Sequence, residues 1–161
     1  EDLISYRLKN EKFMINILKK KIIIKKFGSF NLSIFKNKLD SSKHYAISKG
    51  NFNAKRSVRV RVISVNVEKE IEQLNNNLYL NSIKHLSEYN NFVLIVIKSQ
   101  GTKNINNEGV KSTNILRYYG IGAQIIKDFK IKNMILVSRS RKKIIGLEGY
   151  GIKITKQEII K

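Results

Sequence analysis

The run FVLIVI at 92–97 sets the tightest limit on what this chain can fold into. With no polar residue between its apolar side chains, neither face of such a strand suits water, so it is expected inside a covered sheet. SVRVRVISV at 57–65 differs, placing Val58, Val60 and Val62 on one face and Arg59 and Arg61 on the other. That alternation predicts a strand with one wet face. MILVS at 134–138 and GIKIT at 151–155 read as two further strands. Helical patterns lie between them: Ile71, Leu74, Leu78, Ile83, Leu86 and Tyr89 over 71–89, the stretch RYYGIGAQIIKDF at 117–129, and a short helix through Lys143–Ile145.

The first half is rich in hairpin signals. Leu3, Ile4, Leu8, Ile15 and Leu18 recur at near-helical spacing and predict an amphipathic helix over Asp2–Lys19. KKIIIKK at 20–26 then reads as a short strand, and SFNLSIFK at 29–36 alternates Phe30, Leu32 and Ile34 with polar partners. Turn residues over Asn37–Ser42 send the chain back through HYAISKG as the second arm of a hairpin. The expected class is α+β grading into α/β: an N-terminal helix and β-hairpins, then alternating strands and helices on a mixed sheet. No internal repeat interrupts it.

A length of 161 residues suits one domain with a substantial core. The chain has no Cys, which excludes disulfides, thiol catalysis and the commonest zinc ligand sets. FVLIVI falls far short of the ~18 apolar residues of a membrane span, and EDLISYRLKN is acidic where a signal peptide is basic. A cytoplasmic protein with no membrane partner is expected. A start at Glu1 without Met, running into a helical pattern, points to a piece of a longer polypeptide.

The formal charge of +20 resembles a nucleic-acid signature. However, the chain holds 25 Lys against 7 Arg, Ile and Asn are inflated as well, and Pro and Trp are absent, as drift in an AT-rich genome produces. Readers of bases and phosphates rely on Arg forks, so nucleic acid is not the expected partner.

YGIGAQI at 119–125 and GLEGYGI at 146–152, with FGSFNLSIF and KHYAISKGN upstream, resemble GTP cyclohydrolase II, the zinc enzyme that opens the riboflavin pathway. DLISYR at 2–7 resembles the linker that joins this domain to 3,4-dihydroxy-2-butanone 4-phosphate synthase in bifunctional proteins. The resemblance implies a linker helix over 1–20, the cyclohydrolase-like domain over 21–161, a homodimer, and a synthase domain in the same polypeptide.

The family's site residues are mostly replaced. Its three zinc thiolates follow a strand end that here reads RVISVN, with Asn66 at the first ligand position, so no zinc or other cofactor is expected. His44 and His85, the only histidines, cannot stand in for three thiolates and are expected as surface or hydrogen-bonded residues. The guanine-reading loop corresponds to KSQGT at 98–102, with Gln100 in place of a Glu. Of the family's Asp-x-Arg pair Arg117 remains, while Ile115 replaces the Asp and supplies no base. The phosphate-facing turn corresponds to SRSRKK, leaving Ser138, Arg139, Arg141 and Lys143 as a phosphate or nucleotide remnant. Gly120 and Gly122 are read as packing residues that let their helix approach a neighbour.

The function implied is a catalytically inactive cyclohydrolase-like domain with a structural or regulatory role beside the synthase. Two alternatives stay open: an active GTP cyclohydrolase II, and a basic module that binds nucleic acid or a phosphorylated metabolite.

Overall fold

In the computed structural model the described residues are 10–53, 55–66, 68, 71, 78–99, 120–141 and 147–160. They build one seven-stranded sheet. The strands are β1 (Met14–Ile24), β2 (Gly28–Asn37), β3 (Lys43–Lys49), β4 (Ser57–Asn66), β5 (Phe92–Ser99), β6 (Asn133–Ser138) and β7 (Lys153–Ile159). Helix α1 spans Leu78–Leu86. Helix α2 is described over 120–128.

The spatial order is β1-β2-β3-β5-β4-β6-β7. β1, β2, β3 and β5 pair antiparallel, whereas β5, β4, β6 and β7 run parallel. The sheet is therefore mixed, as the sequence predicts, and β5 is the seam between its halves.

Local chemistry fixes the hairpins. Lys26 at φ 77° and Gly28 at φ 104° turn the chain tightly between β1 and β2. Before β3, the Asn37 and Asp40 side chains accept the backbone N–H groups of Leu39 and Ser42, both at 2.9 Å, folding the loop on itself.

The helix expected over Asp2–Lys19 is not formed at Met14–Lys19, which lie in β1; residues 1–9 are outside the described set. The reason is a bulge. Between Asn16 and Leu18 the register shifts, so β1 advances two residues while β2 advances one. That extra residue puts Ile15 and Leu18 three apart, which imitates helical spacing, while pairing with β2 along the eleven-residue strand settles the structure. The strand expected at 20–26 is thus the end of a longer one, and the last strand begins at Lys153 and runs past Thr155 to Ile159. The short helix at Lys143–Ile145 falls outside the described residues.

β4 has no wet face. Arg61 is buried, and beyond it Ile63 and Val65 continue the same face into the core. β4 lies between β5 and β6, so connections of one hand to these neighbours require helices on opposite faces of the sheet. α1 accordingly packs Ile83 and Leu86 on the face that holds Ile63, Leu94 and Phe92. α2 packs Ala123, Ile125 and Ile126 on the other, against Val60, Val93 and Ile95. FVLIVI is buried throughout, as expected.

Gly122 does face the sheet. A methyl added there would meet Ile97 at 3.8 Å and Val62 at 3.9 Å, which is ordinary contact. One turn of the helix is anchored by Gln124 instead: its Oε1 accepts the N–H groups of Phe13 and Met14 at 2.8 and 3.1 Å, and its Nε2 donates to the carbonyl of Glu11 at 2.8 Å. The Gln of YGIGAQI thus ties the chain's entry into β1 to α2. Ile115, Leu116 and Tyr119, which precede Gly120 in the sequence, are outside the described residues.

Candidate functional site

In a parallel sheet with helices on both faces, ligands bind beyond the C-terminal strand ends, where adjacent connections leave in opposite directions. Here that point lies between β4 and β6. Their ladder runs from Ser57/Asn133 to Val60/Leu136, so the pairing stops before either strand ends. Asn66 and Ser138 close the two strands beyond that point.

The space beside the divergence is occupied by a guanidinium. Arg61 is 5% exposed; its Nε donates to Ser82 Oγ of α1 at 2.8 Å and its Nη1 to the carbonyl of Val137 at 3.4 Å. Burial lowers its pKa from the ordinary value, and the like charge of Arg139 lowers it further. No carboxylate pairs with Arg61 among the described residues. The pair of arginines therefore concentrates positive charge where β6 ends, in a setting that favours an anion.

Ser138 is buried at the end of β6, its hydroxyl donating to the carbonyl of Ser140 at 2.7 Å while its own carbonyl accepts the N–H of Ile160 at 2.9 Å. Those bonds bend the chain outward, leaving Arg139 and Arg141 exposed after the turn. The structure thus brings Ser138, Arg139 and the unforeseen Arg61 to one corner. Gln100, Ile115, Arg117 and Lys143 lie outside the described residues. Arg61 was hidden because alternation alone assigned it to water; the helical pattern that follows its strand was the available signal that this face is covered.

The zinc expected of the resembled family does not fit this donor set. Asn66 spends its side-chain oxygen on the N–H of Glu68 at 2.9 Å. His44 is 1% exposed, accepts the Lys98 N–H at Nδ1 (3.1 Å) and so carries its proton on Nε2, which donates to Ser42 Oγ at 2.8 Å. Burial lowers its pKa more than nearby Asp40 raises it. His85 on α1 meets Glu158 of β7 at 2.6 Å, where Arg59 also binds and stacks its guanidinium 3.5 Å from the Tyr89 ring centre. Both histidines are hydrogen-bonded, as the sequence reading has it. Among the described residues no cluster of three His, Asp or Glu side chains could hold a metal.

A cavity of about 350 Å³ opens near Glu11, Gln124, Asp128 and Tyr150, at the far end of α2 from the strand C-termini. Its lining mixes Lys12, Lys127 and Lys130 with Glu11 and Asp128, and Lys12 pairs with Asp128 at 3.6 Å. Among the described residues no helix is long and apolar enough to cross a membrane.

A mixed sheet covered by helices on both faces, with arginines at its switch point, defines a domain of mixed α and β class. The chain belongs to the GTP cyclohydrolase II family, whose model matches residues 78–158, half of its length. It is 28% identical over 165 residues to a 3,4-dihydroxy-2-butanone 4-phosphate synthase of Photobacterium phosphoreum, covering 95% of this chain and 45% of that protein. It is equally 28% identical over 184 residues to the riboflavin biosynthesis protein RibBA of Endomicrobium trichonymphae, covering 97% and 44%. The crystal structure of RibBX, a two-domain 3,4-dihydroxy-2-butanone 4-phosphate synthase from A. baumannii, superposes with a TM-score of 0.70 at 20% identity, over 96% of this chain and 43% of that one. That likeness establishes the fold. The chain spans less than half the length of each of these relatives.

Proposed function

We propose that this chain is a cyclohydrolase-like domain that has lost ring-opening activity and serves a riboflavin-pathway polypeptide structurally, as a homodimer beside a 3,4-dihydroxy-2-butanone 4-phosphate synthase domain. The observation that carries the reading is the first ligand position: Asn66 stands there with its side chain bound into its own turn, in a chain without a single Cys. Opening GTP as a zinc enzyme requires about three protein ligands and one open position. The relatives named for the synthase, each roughly twice this chain's length, support placing that activity in another part of the polypeptide.

A phosphate remnant accompanies this reading. Arg139 and Arg141, with Arg61 behind them, Ser138 at the turn and Lys143 and Gln100 added from the sequence, offer guanidinium donors to an anion at the strand ends. The test uses the full polypeptide. With GTP it is expected to release no formate above a blank, and elemental analysis is expected to find no stoichiometric zinc. Either signal refutes the loss of activity. Deleting this domain is expected to lower the light-scattering mass from dimer to monomer; an unchanged mass refutes the scaffold role.

A further inference from the structure

β1, β2 and β3 carry an apolar surface on the side of the sheet that holds α1. Cross-strand register places Leu18, Ile34 and Tyr45 in one row, next to Val96, and Leu32 and Ile47 in the adjacent row, next to Leu94. The inner ends of both rows are covered, since Leu94 and Val96 are buried in the core on that side. Outward the cover is lost. Leu32, Ile34, Tyr45 and Ile47 are only half-buried, and Leu18 is 45% exposed.

The strand residues at the rim of this surface carry one sign of charge. Lys20 pairs across to Leu32, Lys36 to Lys43, Lys98 lies 5.4 Å from the Tyr45 ring centre and Lys49 lies 5.9 Å from that of Phe30. β1, β2, β3 and β5 contain no Asp or Glu at all. Aliphatic residues inside a lysine rim form the complement of a protein surface that is apolar at its centre and acidic at its edge. Single-stranded nucleic acid is the weaker match, because bases stack on aromatic platforms and the exposed side chains here are mostly aliphatic. A second copy of the chain would bring another such rim against the first.

We propose that this sheet face is a docking surface for an acidic, amphipathic partner protein, distinct from the basic corner at the strand ends and independent of whether that corner binds an anion. Lysines steer the partner and Leu18, Ile34 and Tyr45 seat its apolar stripe. Two synthetic amphipathic helices serve as probes, one with leucine on one face and glutamate on the other, one with lysine in place of glutamate. Fluorescence anisotropy with the whole chain is expected to show binding of the glutamate helix alone. Leu18→Ser with Ile34→Thr is expected to weaken it about tenfold or more. Lys36→Glu with Lys43→Glu, at exposed positions, is expected to reverse the preference toward the lysine helix, and near-ultraviolet circular dichroism reports that each variant is folded.

Equal binding of both helices overturns the proposal, as does unchanged affinity in the folded Leu18 and Ile34 variant. It fails equally if polyuridine RNA binds more tightly than the glutamate helix and loses affinity with the same substitutions. Self-association in sedimentation that those substitutions abolish would assign the face to a second copy instead.

Discussion

Replacing Glu158 by Gln removes one charge from the contact that ties the outermost parallel strand to the rest of the domain. The carboxylate accepts from Arg59 Nε at 3.3 Å to each oxygen, from Arg59 Nη2 at 3.2 Å, and contacts His85 Nε2 at 2.6 Å. Arg59 and Glu158 are 23% and 17% exposed, between the open surface pairs that contribute under about 1 kcal/mol and the buried ones whose rupture costs about 3–5. Gln keeps the shape and one acceptor oxygen, so the expected loss is about 2 kcal/mol, of the size of a hydrogen bond to a charged group. Burial raises the Glu158 pKa, but the hydrogen bonds and charges of Arg59 and His85 outweigh it and hold the carboxyl below its ordinary value. A depressed carboxylate contributes stability that is complete above the unfolded pKa of about 4.3 and is lost as pH falls through the folded one. Urea unfolding at neutral pH and again near pH 3 therefore shows a gap between wild type and Glu158→Gln that closes on acidification. A neutral-pH difference under about 0.5 kcal/mol would show that water already screens the pair. A gap that persists at low pH would assign the loss to packing instead of charge.

Ser33 Oγ is fully buried without a hydrogen-bond partner, so Ser33→Ala is expected to leave stability unchanged or raise it by about 1 kcal/mol in the same unfolding assay. The glycines divide by their surroundings. Gly122→Ala gains helix propensity into ordinary contact and should stabilise by about 1 kcal/mol, whereas Gly50→Ala should cost more than about 2 kcal/mol, because at φ 94° its methyl would sit 1.9 Å from Asn91 Oδ1. The lowered pKa of His44 means that the unfolded chain takes up this proton first as pH falls. Its stability share is present above about pH 6.5 and declines as pH drops toward the folded pKa; His44→Asn should flatten that part of the pH profile, apart from the more acidic Glu158 window.

Strands whose burial matches their own pattern were readable. FVLIVI and MILVS stand where their apolar runs require, and GIKIT's assignment erred only in its ends. Where pairing adds a residue, local pattern misleads: the bulge after Asn16 shifted Ile15 and Leu18 onto a false helical stripe. Arg61 exposes a different gap, since alternation reports side-chain polarity and cannot tell whether the polar side is roofed by a helix. Of the candidate site, Ser138 and Arg139 were legible through the matched turn, while the partnership of Arg59, His85 and Glu158 joins three elements far apart in the chain and leaves no local trace. Helix α2's glycine was legible as a residue facing the sheet, but not the methyl-sized room beside it.

The position of β5 also governs the order in which a ribosome can complete this sheet. β1, β2 and β3 pair with near neighbours, so this meander can form as soon as residue 49 has cleared the exit tunnel. β3 then waits with an unfilled edge until residues 92–97 emerge, and β4, made earlier than β5, has no place in the sheet before it. Such delayed pairing carries the entropy of long loop closure and leaves backbone donors available to other nascent chains. A codon change that slows elongation between β4 and β5 prolongs that exposed interval, so aggregation during synthesis should respond to translation speed there even though the finished protein is unchanged.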